Sequence, residues 1–281
     1  MMTDEPDLEQ VRQLIRAFTT RAREELDQRL KKWPLDFAKR DVHEVVGALL
    51  ARQVTLASQL AECPQIWTGH IAPLVLRSMA DVYINLAWVL KDPPDRCKKF
   101  IHYGLGQEKL QLEHRKAEME TRGLSEVERQ YCDAVEAWIN GQRLTFLTDV
   151  NLGSWSGLSN RAMAEEAGCI DFYNYVYSPF SGCVHSMWQH IGRYNLTECR
   201  EPLHRPHSVP AVRAVPLDPE YLYLVAKYLQ KTFAAFDAAF AIAIDGDSAF
   251  DVLCQGLDDI GAATRAAAQS DESDGQREPE P

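Results

Sequence analysis

Arg77, Asp81 and Asn85 recur every four residues inside the apolar stretch Ile71 to Leu90, where Ser78 is the only other strongly polar side chain. On a helix this spacing lines the three residues along one slowly drifting stripe. At a surface, an Arg–Asp pair one turn apart contributes about 0.2–0.5 kcal/mol. In an interior or a cleft each charge needs a partner, because an unpaired buried charge is very costly. The stripe is therefore a solvent face, a structural ion pair, or the polar wall of a cleft. His185 is the second candidate. An imidazole titrates near neutrality and serves as general acid or base, or else as a helix-end group hydrogen-bonded for structure. Ser181 lies one turn before it, but no Gly-x-Ser-x-Gly elbow surrounds that serine, which argues against a serine nucleophile. An arginine and a histidine brought together by packing would suit phosphate chemistry: the guanidinium grips the phosphate with two donors and the imidazole moves protons. Arg77 with His185 is the pair expected here.

The elements that must position these residues come next. The stretch Tyr173 to Trp188 reads Tyr-Asn-Tyr-Val-Tyr-Ser-Pro-Phe-Ser-Gly-Cys-Val-His-Ser-Met-Trp. Ser178-Pro179 predicts a helix start, with serine as N-cap and proline at the first helical position. A helix from Pro179 would place Ser181, His185, Trp188 and Gly192 on one face. The alternating Tyr173, Tyr175 and Tyr177 suit either stacking on bases or ordinary core and surface packing. Cys183, His185, His190, Cys199, His204 and His207 crowd one region, yet no Cys-x2-Cys or His-x3-His pair is present, so no metal site and no cofactor is expected. A di-iron bundle would need repeated Glu-x-x-His pairs on facing helices, which the chain lacks. A phosphate loop is likewise missing.

Nearly every remaining segment reads as helix. Leu8 to Lys32 carries apolar residues near helical spacing among many charges and ends at Trp33-Pro34. Asp36 can cap a second helix, closed by Cys63-Pro64. The third runs from about His70 to Lys91, and Asp92-Pro93 starts a fourth that becomes highly charged after Gln107. Ser125-x-x-Glu128 is a capping box for the fifth, running to about Leu144. Residues 145–158 read as a loop, and Ser159 opens a short helix ending at Gly168. Four prolines between 195 and 218 indicate an extended connection. Asp218-Pro219 caps a long helix from Tyr221 to Ile244, and a final helix runs to about Ala268. The expectation is an all-α, multi-helix bundle: a charged N-terminal helix over 1–35, a bundle core over 36–268, and a disordered acidic tail over 269–281.

Composition narrows the function classes. The chain has 281 residues, 46% of them hydrophobic, and a net charge of -11. A broad basic nucleic-acid surface is therefore not expected, although a local basic groove stays open. The longest apolar run, Phe233 to Ile244, is interrupted by Asp237 and is too short for a bilayer, which needs about 20 residues. Seven scattered cysteines and an acidic opening, Met-Met-Thr-Asp-Glu-Pro, predict a cytoplasmic protein with reduced thiols.

Two blocks, LRSMADVYINLAWVLKDPPDRCKKF and YNYVYSPFSGCVHSMW, resemble a bacterial all-helical family known only as a domain of unknown function. Its members carry an arginine and an acidic residue one turn on, matched by Arg77 and Asp81. They also carry a Tyr-x3-Ser-x3-His block, matched by Tyr177, Ser181 and His185. The likeness spans roughly residues 40–195. It implies fold and position for these five candidate catalytic residues without implying a mechanism. Some such families are suspected relatives of the HEPN ribonucleases, an analogy only. The HEPN spacing itself, Arg96-x5-His102 and Arg200-x6-His207, occurs no more often than chance gives for 20 arginines and 8 histidines. Two readings follow. One is a prokaryotic defence or toxin-type effector that binds or cleaves RNA, as a metal-independent ribonuclease. The other is a non-catalytic helical module that meets a partner protein. Neither involves a membrane, and a homodimer is compatible with both.

Overall fold

Local signals set most helix ends. The computed structural model describes residues 8–123, 125–142, 153–204 and 207–275, with side chains as far as residue 263. Its helices are α1 (Leu8–Lys32), α2 (Arg40–Ala61), α3 (Ala72–Val89), α4 (Pro93–Arg122), α5 (Glu126–Asn140), α6 (Asn160–Ala167), α7 (Ile170–Phe172), α8 (Ser178–Val184), α9 (Trp188–Tyr194), α10 (Glu220–Phe240) and α11 (Ala249–Gly275). The all-α class is as expected. The Ser125/Glu128 capping box forms with both reciprocal bonds. The Ser159 hydroxyl accepts from the Ala162 amide, and Gly168 closes α6 in the left-handed conformation at φ 77°. The Asp218 carboxylate accepts from the Glu220 amide at the start of α10.

Several boundaries differ from expectation. Ala241 turns left-handed at φ 52° and stops α10 before Ile244. α11 continues to Gly275, past the expected end at Ala268, and the remainder of the expected tail lies outside the described residues. Most of the loop expected over 145–158 also lies outside them, at 143–152. The proline-rich connection holds a small antiparallel hairpin, β1 (Leu196–Glu198) with β2 (Ser208–Pro210), in the register Leu196–Pro210, Thr197–Val209 and Glu198–Ser208. Pro210 ends its strand, where a missing amide costs no ladder bond.

The chain divides into two compact units. One comprises residues 1–34, 50–83 and 171–281. There α1 buries Leu14, Ile15, Phe18 and Ala22, and α10 buries Leu222, Val225, Leu229, Phe233 and Phe236. The charges of α1 are not all solvated. Arg29 is 2% exposed and grips Asp237 of α10 with two donors, Nε at 2.8 Å and a terminal nitrogen at 2.7 Å. Its guanidinium carbon lies 3.9 Å from the Phe233 ring centroid, and Glu25 lies beside it at 3.3 Å. The other Glu25 oxygen accepts from the Ala249 amide at 2.9 Å, at the first turn of α11. A carboxylate there meets both an orphan amide and the positive end of the helix dipole. One buried network thus ties α1, α10 and α11 together.

The other unit comprises residues 35–49 and 84–170. Its α4 and α5 pack through Leu112, Met119, Cys132 and Ile139, so the charged half of α4 keeps one buried row. Arg96 stacks 3.8 Å from the Trp88 ring, donates to the Trp88 carbonyl at 2.7 Å and pairs with Glu166. Glu166 also accepts from the Trp88 indole at 2.7 Å, and that bond, ahead of Arg96, holds its carboxyl below the usual range. An open apolar groove of about 380 Å³ lies between Val45, Leu49, Phe100, Ile101, Leu105 and Trp138. No helix of the described residues is long and apolar enough to cross a membrane.

Candidate functional site

Ser178-Pro179 does not begin a helix. The chain is helical from Ile170 to Val184, with Tyr173–Tyr177 wound as a π-turn in which the Ser178 amide donates to the Tyr173 carbonyl. Proline explains the widening. It has no amide to donate, and in a regular α-turn its ring would strike the carbonyl four residues back, here that of Tyr175. The turn also brings Tyr173 and Tyr177 into a stack, with centroids 4.8 Å apart and planes 20° apart.

Arg77, on α3, reaches this turn and is 8% exposed. Its guanidinium carbon sits 3.2 Å from the Tyr177 ring centroid, and its Nε donates to Ser181 Oγ at 2.8 Å. A terminal nitrogen forms an ion pair with Asp81, one turn along α3. The Ser181 hydroxyl in turn donates to the Tyr177 carbonyl at 2.9 Å. Four of the five sequence-predicted residues, Arg77, Asp81, Tyr177 and Ser181, therefore meet in one constellation. Its formal charge is neutral. An incoming phosphate would have to compete with the Asp81 carboxylate for the same guanidinium.

His185 is the exception. α8 ends there, Ser186 takes the left-handed conformation at φ 49°, and α9 starts afresh at Trp188. The continuous face expected to carry Ser181, His185, Trp188 and Gly192 is broken at that corner. His185 is exposed, and it is not among the partners of Arg77 in the described residues. The two HEPN-type spacings fare no better as sites. Arg96 is engaged by Glu166 and Trp88, and His207 lies with Cys199 and His204.

Two further clusters form from the crowded cysteines and histidines. In the first, His190 Nε2 lies 3.3 Å from His70 Nδ1 and 3.7 Å from Cys183 Sγ. Tyr194 covers both imidazoles, with centroids 5.1 and 4.8 Å away. Gly69 leaves room for that ring, since a Cβ there would lie 2.5 Å from the Tyr194 hydroxyl. Burial, and then the neighbouring His70, depress the His190 pKa, while burial raises that of the Cys183 thiol. Both shifts favour neutral groups, the reverse of an activated thiolate–imidazolium pair. His70 was not legible as a member, because it lies far back in the chain. In the second cluster, Cys199 Sγ and one ring nitrogen each of His204 and His207 lie within 4.8 Å of one another.

Compared with known proteins, the chain matches the model of a family of unknown function (DUF5677) over residues 43–201, more than half its length. No curated protein and no solved structure matches it.

Proposed function

The chain belongs to this family of unknown function, DUF5677, and we propose that it is a non-catalytic binding module that meets a partner protein through the corner between α8 and α9. The observation that carries this reading is the corner itself. Ser186 is one of two non-glycine residues with positive φ among the described residues. That conformation costs about 1–2 kcal/mol for a residue with a Cβ. It is held in place, and it presents Val184, Met187 and Trp188 at 42%, 51% and 71% exposure. Tryptophan and methionine are over-represented at interface centres, where a bulky apolar side chain fills a partner's pocket. Strain that displays apolar side chains to water brings no folding benefit, which favours a role in binding.

The Arg77 constellation supports the same reading from below. Its contacts pin the helix that carries the corner to α3, and leave the guanidinium internally paired. An RNA-cleaving defence effector would need Arg77 and His185 on one phosphate. Arg77 is already paired with Asp81, and His185 is exposed and not among its partners in the described residues. The expected partner offers an apolar pocket able to accept an indole.

A photo-crosslinking amino acid placed at Trp188, and as a control at the exposed Gln255, tests this in cells that make the protein. A discrete adduct at position 188 and none at 255 is expected. The same pattern at both positions, or no adduct at 188, would overturn the assignment.

A further inference from the structure

We infer that Cys199, His204 and His207 form a binding site for a borderline-soft divalent transition metal, zinc foremost. Three thiol and imidazole ligand atoms within 4.8 Å of one another are close to the spacing that a tetrahedral ion imposes. With Zn–S of about 2.3 Å and Zn–N of about 2.0–2.1 Å, tetrahedral angles put sulfur and nitrogen about 3.6 Å apart. Cys199 Sγ and His204 Nδ1 are 3.9 Å apart, so a small side-chain movement closes the set.

The backbone builds the site from defined elements. Cys199 directly follows β1 and His207 directly precedes β2, and the Cys199 amide donates to the His207 carbonyl at 3.0 Å. That bond extends the hairpin pairing by one step and holds the two ligands opposite each other. His204 ends the short 3-10 turn Pro202–His204, and its own amide donates to the Glu201 carbonyl at 3.0 Å. The His204 and His207 rings face each other edge-on, with centroids 5.6 Å apart. Both histidines are exposed, so an ion can enter from solvent, and water would complete the fourth position.

Ligand chemistry selects the ion. One thiolate and two imidazoles suit zinc, whereas magnesium and calcium prefer oxygen donors. On binding, the Cys199 thiol loses its proton to solvent and both histidines bind as neutral rings. The metal would close the loop at the end of the β1–β2 hairpin. The irregular Cys-x4-His-x2-His spacing matches no common finger pattern and conceals the cluster in the linear sequence.

Full-length protein stripped with chelator, titrated with zinc and measured by elemental analysis after desalting, tests the site. Cobalt in place of zinc adds a thiolate charge-transfer band and tetrahedral visible bands as a direct report on sulfur ligation. The expected result is one zinc per chain and a cobalt–thiolate spectrum, both lost in Cys199→Ser and in His207→Gln. The Cys183→Ser protein, altered in the neighbouring cysteine–histidine cluster, keeps both. Far-UV circular dichroism confirms that each variant is folded, and His204→Gln replaces either variant that is not. Zinc at the protein-free background, or binding that survives Cys199→Ser and disappears in Cys183→Ser, would overturn the assignment.

Discussion

The guanidinium carbon of Arg77 lies 3.2 Å from the centroid of the Tyr177 ring, a hundred residues further along the chain. The same side chain holds Ser181 by its Nε and Asp81 by a terminal nitrogen. A planar fork that stacks and donates at once is what arginine offers and lysine does not. Arg77→Leu should lower stability by about 1–2 kcal/mol, since Asp81 is 38% exposed and water softens the loss of its partner. Arg77→Lys keeps the charge but loses the stack and the fork, and should recover less than half of that. Urea denaturation of the wild type and the two variants measures both. Equal midpoints for the wild type and Arg77→Leu would show that the contacts carry no net stability.

The buried arginine of α1 should matter more. Arg29→Ala leaves Glu25, with its side chain 1% exposed, without its cation and removes the bidentate grip on Asp237. Breaking such a buried pair costs about 3–5 kcal/mol. Asp237→Asn should cost less, because Asp237 is 22% exposed and Glu25 still faces the guanidinium. Denaturant midpoints for the two variants and their double mutant measure the coupling. A difference within experimental error between wild type and Arg29→Ala would contradict the network's role.

How these two arginines relate to the sequence shows where local reading ends. Caps such as Ser125 with Glu128, or Ser159 with Gly168, were legible because each is settled within a few residues. The Arg77–Asp81 pair was legible as well, since i and i+4 share a helix face. Ser181 stood out by its spacing to His185, and Tyr177 as part of the tyrosine run; a resemblance grouped both with Arg77, and packing placed them there. The burial of Arg29 was hidden by the many charges of α1. Pro179 misled in another way. The same proline that starts helices can sit within one when a π-turn absorbs its missing amide. The break at Ser186 carries neither glycine nor proline, so the interruption that takes Trp188 and Gly192 off the face of Ser181 and His185 had no local signal. The Cys199–His204–His207 cluster depends on a hairpin register that residue spacing alone does not encode.

Acid should weaken the fold through His190. Its folded pKa lies below the ordinary value of 6.5, first because it is buried and second because His70 is beside it. A histidine depressed in the folded state binds fewer protons there than in the unfolded chain. Stability is then full above the unfolded value and falls as pH drops through 6.5 toward the folded one. Melting temperature measured from about pH 7.5 to about pH 5 should decline, with a shallower slope in His190→Gln. Parallel slopes would mean that this histidine does not contribute.

Close packing between α1 and α11 gives a steric test. A Cβ at Gly256 would collide with the buried Leu14 side chain. Gly256→Ala should destabilise by about 1–3 kcal/mol, as overpacking does. In a Leu14→Ala background the same change should cost much less, because the space is then free. Thermal denaturation of the four proteins decides between that coupling and simple additivity.

The distinction between a binding module and a ribonuclease is tested most directly with mixed RNA, incubated in the absence of metal with the purified protein and with His185→Ala. With Arg77 engaged by Asp81, Ser181 and Tyr177, and His185 exposed outside that shell, both RNA traces should match the protein-free control. Cleavage by the unaltered protein that disappears in His185→Ala would contradict the non-catalytic reading.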